Sequence, residues 1–473
     1  MKRRTRIVAT LGPATDAPGV LEALIAAGLD VARINYSHGS AAEHAERIVR
    51  WRALARNAKR PIGLLADLPG PKLRVLLPAA LTLRAGQEVI VGRGAEVPAD
   101  FHVTEPDVFD ELRAGHRVLL DDGRLQLRAL RIEPTGVVLR VEGGGTLLPN
   151  KGLNLPDTRL SLPALTARDH VALAAAAAAG VDWLALSFVR SPEAAGELRD
   201  AAGSHGLERP LLAKIERPEA VERAAEIIEA FDGIMVARGD LGVEIPLEQV
   251  PQVQKRLIAL ARAAGKPVVT ATDMLDSMRR NPRPTRAETN DVANAVYDGT
   301  DALMLSGETA IGEYPVQAVV WMDRIAHEAE PHFREHLDVV VPRGAVRDEI
   351  SRLSCALARE VRANAILVPT ISGRAARLVA RHRPSIPIVA LTASDAVRRQ
   401  LALVWGVRPM PLELTPLPDE DRLELVVRAA FVQGAVQPGN RVVVMAERAV
   451  EDGERVPTVR VVRVGEGGRS YEP

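Results

Sequence analysis

Along the chain, short apolar runs alternate with segments whose apolar residues recur at helical spacing. The runs are Arg6–Leu11, Val31–Asn35, Ile62–Asp67, Trp183–Ser187, Leu211–Ile215, Gly233–Ala237, Val268–Ala271 and Ala302–Leu305. Most are rich in Val, Ile or Leu and bounded by turn residues, the pattern of strands buried on both faces. Helical patterns are predicted between or after them, over Val20–Ala27, Ala41–Arg56, Ala167–Ala179, Pro192–Ala202, Pro218–Ala230, Leu247–Ala264, Arg286–Tyr297 and Pro315–Glu328. Eight strand–helix units are the count of a closed (β/α)8 barrel of the TIM type.

The third unit is interrupted. From about Pro71 to Pro156 the pattern changes to short strands and turns such as Asp122-Gly123 and Gly143-Gly144-Gly145, which predicts a small all-β insertion able to close over the barrel as a lid. After about Arg343 a separate α/β unit begins, with helices over Ala345–Val361, Ala375–His382, Ala396–Leu403 and Asp419–Phe431. Its strands are Ala365–Val368, Ile388–Leu391, Arg441–Met445 and Thr458–Val462. The expected division is barrel over 1–70 and 157–342, β lid over 71–156, and a C-terminal α/β domain of regulatory type over 343–473.

Composition narrows the function classes. The 473 residues carry no net charge, so nothing in the balance points to nucleic acid or an acidic membrane. A single cysteine, Cys355, excludes an internal disulfide and fits a reducing compartment. The sequence shows no signal peptide and no 18-residue apolar run free of charge. Only seven of the 61 basic residues are lysines: Lys2, Lys59, Lys72, Lys151, Lys214, Lys255 and Lys266. An ammonium is a compact point charge where a guanidinium is a planar fork, so each retained lysine invites a question.

In such barrels catalytic groups sit at the C-terminal ends of strands. There the chain places Arg33, Asn35 and Ser37, spaced by two and so on one face. Asp67 ends the third strand, and Lys72 and Arg74 follow as two nearby cations. Lys214 and Glu216 share a face at the fifth strand end, where charges need a partner or a ligand. Arg238-Gly239-Asp240 follows the sixth strand. A helical turn starting there would offer N–H groups to an anion, and Asp240 joins Glu216 as a second hard oxygen ligand for Mg²⁺. Thr270 and Thr272 end the seventh strand, Ser306 and Glu308 the eighth. No GxxxxGK[ST] loop is present, so a nucleotide is not held in the Walker manner. At Thr370–Arg374 a phosphate-binding turn and a plain helix cap are both open readings.

These segments are similar to the pyruvate kinase family. The resemblance is carried by ATLGPAT (9–15), RINYSHG (33–39), GPKLR (70–74), KGLNLP (151–156), LSFVRSPE (186–193), AKIERPE (213–219), DGIMVARGDLGVEIP (232–246), NPRPTRAETNDVANAVYDGTDALMLSGETA (281–310) and GRAARLVARHRP (373–384), in the family's order. It implies transfer of the phosphoryl group of phosphoenolpyruvate to ADP, giving pyruvate and ATP at the last step of glycolysis. It implies Lys214, Arg33 and Thr272 as catalytic, and Arg33, Lys214, Gly239, Asp240 and Thr272 as substrate-binding. Glu216 and Asp240 are implied as Mg²⁺ ligands, with a second Mg²⁺ arriving with the nucleotide. Asn35, His38, Arg74 and Lys151 are implied around the nucleotide. The family's architecture implies a cytoplasmic homotetramer.

Many relatives need K⁺ near the positions of Asn35, Ser37, Asp67 and Leu68. They carry a threonine where Leu68 stands and a glutamate where Lys72 stands. The pair Leu68 and Lys72 resembles the K⁺-independent branch, so the Lys72 ammonium is expected to stand in for K⁺. Arg217 takes the place of a more usual asparagine, Ala220 of a glycine and Asp273 of a glutamine. Two other functions compete. A Mg²⁺-dependent lyase or aldolase acting on phosphoenolpyruvate or pyruvate would share the carboxylate pair, but it has no second phosphate for Arg33 and Lys72 to hold. A catalytically dead scaffold would not need Lys214, Glu216, Asp240, Thr272 and Arg33 together.

Overall fold

The computed structural model describes residues 3–58, 60–94, 96–333, 346–413, 419–449 and 455–472. Lys2, Lys59 and the expected boundary at 342/343 lie outside the described residues.

Eight parallel strands close a barrel: β1 (Arg6–Thr10), β2 (Val31–Asn35), β3 (Gly63–Leu68), β4 (Trp183–Leu186), β5 (Leu211–Ile215), β6 (Gly233–Ala237), β7 (Val268–Ala271) and β8 (Ala302–Leu305). β8 pairs back onto β1, with Arg6 opposite Ala302. The alternation of strand side chains divides each strand between two cores. Ile7, Ala9, Ile34, Leu64 and Ala213 pack outward against the helices. Val8, Val31, Leu65, Trp183, Ala185, Leu212, Met235 and Val269 fill the barrel. Two residues further along the inward register come Thr10, Arg33, Asp67, Ser187 and Lys214. The apolar filling therefore ends in a polar layer at the C-terminal face.

The barrel floor is completed from elsewhere. Ala402 and Leu403, just past the helix Asp395–Gln400, join the interior cluster of Val8, Val31 and Trp183. Trp183 Nε1 donates to the Gln400 carbonyl at 3.1 Å, and Arg399 Nε reaches Asp182 at 2.8 Å. Asp301, just before β8, accepts from Arg383 at 2.8 Å and from the Trp405 amide at 3.0 Å. Both joints use carboxylates at the N-terminal ends of barrel strands.

Between β3 and β4 the chain builds a seven-stranded sheet whose strands run from Val75 to Asn154, with a two-stranded ribbon of Leu81–Leu83 and Gly145–Leu147. Its two edges are stitched together. Leu153 N donates to Leu73 O at 3.0 Å and Val75 N to Lys151 O at 2.8 Å, so the sheet curls towards closure as a small barrel with its own core. The C-terminal unit is a six-stranded sheet flanked by helices Val346–Glu360, Arg374–Ala380 and Asp419–Val432.

Two readings need correction. Pro218–Ala230 is two helices, because Arg223 leaves helical geometry at φ −95° and ψ 21°. Val407–Pro411 is a strand that the sequence reading missed. It lies at the sheet edge, where Pro409 and Pro411 are tolerated and where proline disguises a strand. Among the described residues no helix is long and apolar enough to cross a membrane.

Candidate active site

The polar layer is centred on Lys214. Its Nζ lies 2.7 Å from Ser187 Oγ, 2.9 Å from Glu216 Oε1 and 3.3 Å from Asp67 Oδ1. Burial pushes the ammonium pKa down, but the Asp67 and Glu216 charges override it and raise it to about 12. Lys214 is therefore a fixed positive charge at neutral pH. Asp67 is fully buried. Burial works against its charge, yet Arg33 and Lys214 hold its pKa below the ordinary carboxylate value. The cations beside Asp67 are thus Arg33 and Lys214, not the Lys72 and Arg74 suggested by proximity along the chain.

Arg33 is locked into place. Nε donates to Asp67 at 2.7 Å and Nη1 to Thr10 Oγ1 at 2.9 Å. Asn35 and Asp67 are register neighbours on β2 and β3, and Asn35 Oδ1 accepts from the Ser37 amide at 3.1 Å. Leu68 contributes no side-chain oxygen. Its carbonyl accepts from Ser187 Oγ at 2.7 Å.

Glu216 accepts from the Phe188 amide at 2.7 Å through Oε2. Its Oε1 faces Lys214 without an aligned hydrogen bond. Burial first, then the nearby Asp240 charge, raise its pKa. A buried carboxylate repelled by a second one, with one oxygen held only by the Lys214 charge, is a donor set suited to a hard divalent cation, whose remaining ligands would be substrate oxygens and water.

Arg238–Glu244 forms a short helix with Asp240 in its first turn. The Gly239 amide donates to Thr272 Oγ1 at 2.6 Å, and that hydroxyl donates to the Ala271 carbonyl at 2.6 Å. Arg238 reaches the Thr272 carbonyl at 2.7 Å and Asp291 at 2.7 Å. The backbone is strained here. Thr272 and Asp273 have φ of +67° and +54°, and Phe188 has +56°. Left-handed geometry is costly for β-branched and aromatic residues and concentrates at functional sites. At Phe188 it accompanies the aiming of the amide at Glu216.

Lys72 Nζ lies 3.2 Å from Asp240 Oδ1 and 5.8 Å from the Phe188 ring centre. Lys151 pairs with Asp121 at 2.7 Å, and Arg74 Nη1 donates to Asn150 O at 3.0 Å, both within the lid. The His38 pKa is lowered by burial and then by the charges of Arg74, Lys72 and Arg33. In the C-terminal unit, Thr370 Oγ1 accepts from the Gly373 amide at 3.0 Å, closing the turn before the helix Arg374–Ala380, whose N-terminus carries no side-chain cap.

The structure thus gathers Arg33, Asp67, Lys214 and Glu216 in one layer, joins Gly239 to Thr272, and leaves Arg74 and Lys151 on the lid. Sequence reasoning missed the roles of Thr10, Ser187 and the Phe188 amide. The first two were legible as continuations of the inward period-two register.

Comparison with known proteins agrees with this arrangement. Residues 2–319 match the family model for the pyruvate kinase barrel domain, and residues 348–462 the model for the pyruvate kinase alpha/beta domain. A pyruvate kinase of Geobacillus stearothermophilus is 42% identical over 458 residues, covering 94% of this chain and 78% of the relative. One from Methylorubrum extorquens is 43% identical over 456 residues, covering 94% of each. Pyruvate kinase 2 of Synechocystis is 44% identical over 418 residues, covering 87% of this chain and 71% of the relative.

Proposed function

The chain belongs to the pyruvate kinase family and is a phosphotransferase that moves the phosphoryl group of phosphoenolpyruvate to ADP, and from that premise we propose the roles its own residues play. The observation that carries the assignment is the Lys214 ammonium, buried against Asp67, Ser187 and Glu216.

Phosphoryl transfer needs positioning and neutralisation of charge more than covalent catalysis. Lys214 supplies a permanent positive charge where negative charge develops as the enol C–O–P linkage breaks. Arg33 grips the phosphoryl oxygens. Its Nε and Nη1 are committed to Asp67 and Thr10, which leaves Nη2 for the substrate. The start of the 238–244 helix and Thr272 receive the substrate carboxylate. A proton reaches the leaving enolate carbon by way of water near Thr272. Asn35, His38, Arg74 and Lys151 surround the nucleotide.

The family uses Mg²⁺, and Glu216 with Asp240 would hold one ion, a second arriving with ADP. Bound there, the ion neutralises charge shared by substrate oxygens. For the monovalent site, Lys72 stands in for K⁺. The support is the loss of a side-chain oxygen at Leu68 and the engagement of its carbonyl by Ser187; the Lys72 ammonium itself rests against Asp240, while Asp67 is paired with Arg33 and Lys214. A homotetramer in the cytoplasm completes the reading, and light scattering tests the assembly.

The experiment is a coupled assay of pyruvate formation from phosphoenolpyruvate and ADP with Mg²⁺, with and without K⁺ in an organic-cation buffer. Turnover without K⁺ supports both the site and Lys72. Turnover only with K⁺ removes the role of Lys72 and keeps the rest.

A further inference from the structure

The residue after the proposed metal ligand Glu216 is Arg217, a buried guanidinium. Its Nη1 donates to Glu244 Oε1 at 2.9 Å, and Nη2 donates to the carbonyls of Thr158 at 3.0 Å and Leu155 at 3.4 Å. Glu219 holds the other edge of the fork, at 3.1 Å and 3.3 Å. Three parts of the molecule meet at this side chain. Glu216 is the adjacent residue. Glu244 ends the 238–244 helix, whose first turn carries Gly239 and Asp240. Leu155 and Thr158 lie where the chain returns from the lid to the barrel.

The lid is tied in a second way. Asn154, in the last lid strand, donates from Nδ2 to the same Glu244 Oε1 at 2.7 Å. Glu244 Oε2 is buried with no hydrogen-bond partner among the described residues. Two donors, one from the barrel and one from the lid, therefore converge on one buried carboxylate oxygen, which can accept both.

The two lid connections differ. On the return side Arg190, two residues beyond Phe188, also donates to the carbonyls of Leu160, Leu162 and Pro163. On the outgoing side Gly70 takes φ +64° and its amide donates to Asp169 at 2.9 Å; a Cβ there would lie 2.6 Å from the Ser187 carbonyl oxygen. Beyond it, Lys72 meets Asp240 as a part-exposed pair. The return strand is thus gripped by guanidiniums placed next to the two groups that meet at Glu216. Lys72, Phe188, Arg190, Arg217, Asn154 and Glu244 line one narrow cleft between the lid root and the barrel.

We infer that Arg217 is a positioning residue that couples the lid's seating to the geometry of the Glu216–Asp240 pair. It touches no reacting atom. It fixes Glu216 from the following residue, the 238–244 helix through Glu244, and the lid root through two carbonyls. The planar fork reaches the helix and the lid root at once, and Glu216 is held to it through the peptide bond. The inference rests on the phosphoryl-transfer reading for its kinetic consequence only, because the lid cations Arg74 and Lys151 are the groups assigned to ADP.

The test compares full-length Arg217→Asn, Arg217→Lys and Glu244→Gln with wild type, reading kcat, KM for each substrate, and amide hydrogen exchange over the lid strands Arg117–Leu120 and Leu153–Asn154. The expected result for Arg217→Asn is faster lid exchange, a KM for ADP raised about tenfold, and kcat within about threefold, with Arg217→Lys only partly restoring it. Glu244→Gln gives the same pattern more weakly and serves if Arg217→Asn does not fold. Unchanged lid exchange in a folded variant overturns the coupling, as does a fall in kcat with KM for ADP unaltered. Wild-type protein that forms no pyruvate while the variants still loosen the lid would sink the phosphoryl-transfer reading and leave the mechanical coupling standing.

Discussion

Ser187 Oγ stands 2.7 Å from Lys214 Nζ, and 2.7 Å from the Leu68 carbonyl on its other side. One hydroxyl thus fixes the ammonium relative to β3. Replacing Lys214 by Met removes the central cation of the layer and leaves buried carboxylates short of a partner. We expect kcat to fall by about a thousandfold and stability by about 3 kcal/mol. Pyruvate formation and urea unfolding check the two effects separately. Ser187→Ala keeps the charge and is expected to cost far less in kcat.

Glu216→Gln separates function from stability. It removes a hard oxygen charge, so direct Mn²⁺ binding, read by paramagnetic resonance, is expected to weaken at least about tenfold. Burial and Asp240 already disfavour the Glu216 charge. The metal-free variant is therefore expected to melt no lower than wild type. A clearly lower melting temperature would mean that its ion pair with Lys214 outweighs that burial.

Lys72→Glu replaces the ammonium with an anion and places it beside Asp240. Activity in K⁺-free buffer is expected to drop at least about tenfold and to recover on adding K⁺. Loss that K⁺ does not repair would mean that Lys72 serves Asp240 alone.

His382 lies buried where the C-terminal unit meets the barrel, with Nε2 3.3 Å from Ser351 Oγ. Burial, then the charges of Arg381, Arg352, Arg262 and Arg383, lower its pKa to about 3. The unfolded chain takes up a proton near pH 6.5, whereas the folded chain resists until about 3. The stabilisation is complete above pH 6.5 and is lost as pH falls through that window, by about 1.4 kcal/mol per pH unit. His382→Gln is expected to flatten this slope between pH 6.5 and 4.5. Parallel slopes in urea titrations of the two proteins would refute it.

Much of this architecture was readable in the chain. The barrel strands announce themselves because burial on both faces forces continuous apolar runs, and Val31–Asn35 and Leu211–Ile215 begin and end where the pattern says. Arg33, Lys214 and Glu216 were legible because charge has no place on an inward register without a purpose. Ser187 and Thr10 were harder, since a hydroxyl at a strand tip is ordinary until its partners are known. The left-handed backbone at Phe188 and Thr272 leaves no mark in composition, as neither residue favours it. The contact of Lys72 with Asp240 joins positions 168 residues apart, and no local pattern encodes it.

Ala402 and Leu403 carry a broader lesson. The catalytic scaffold does not own its base. A chain ended before the C-terminal unit would present Val8, Val31, Leu65 and Trp183 to water. Exchange of C-terminal units between relatives would have to preserve the fit of residues 401–403 to Trp183. Barrel and C-terminal unit are therefore joined as a vessel is to its stopper, and neither surface is finished without the other.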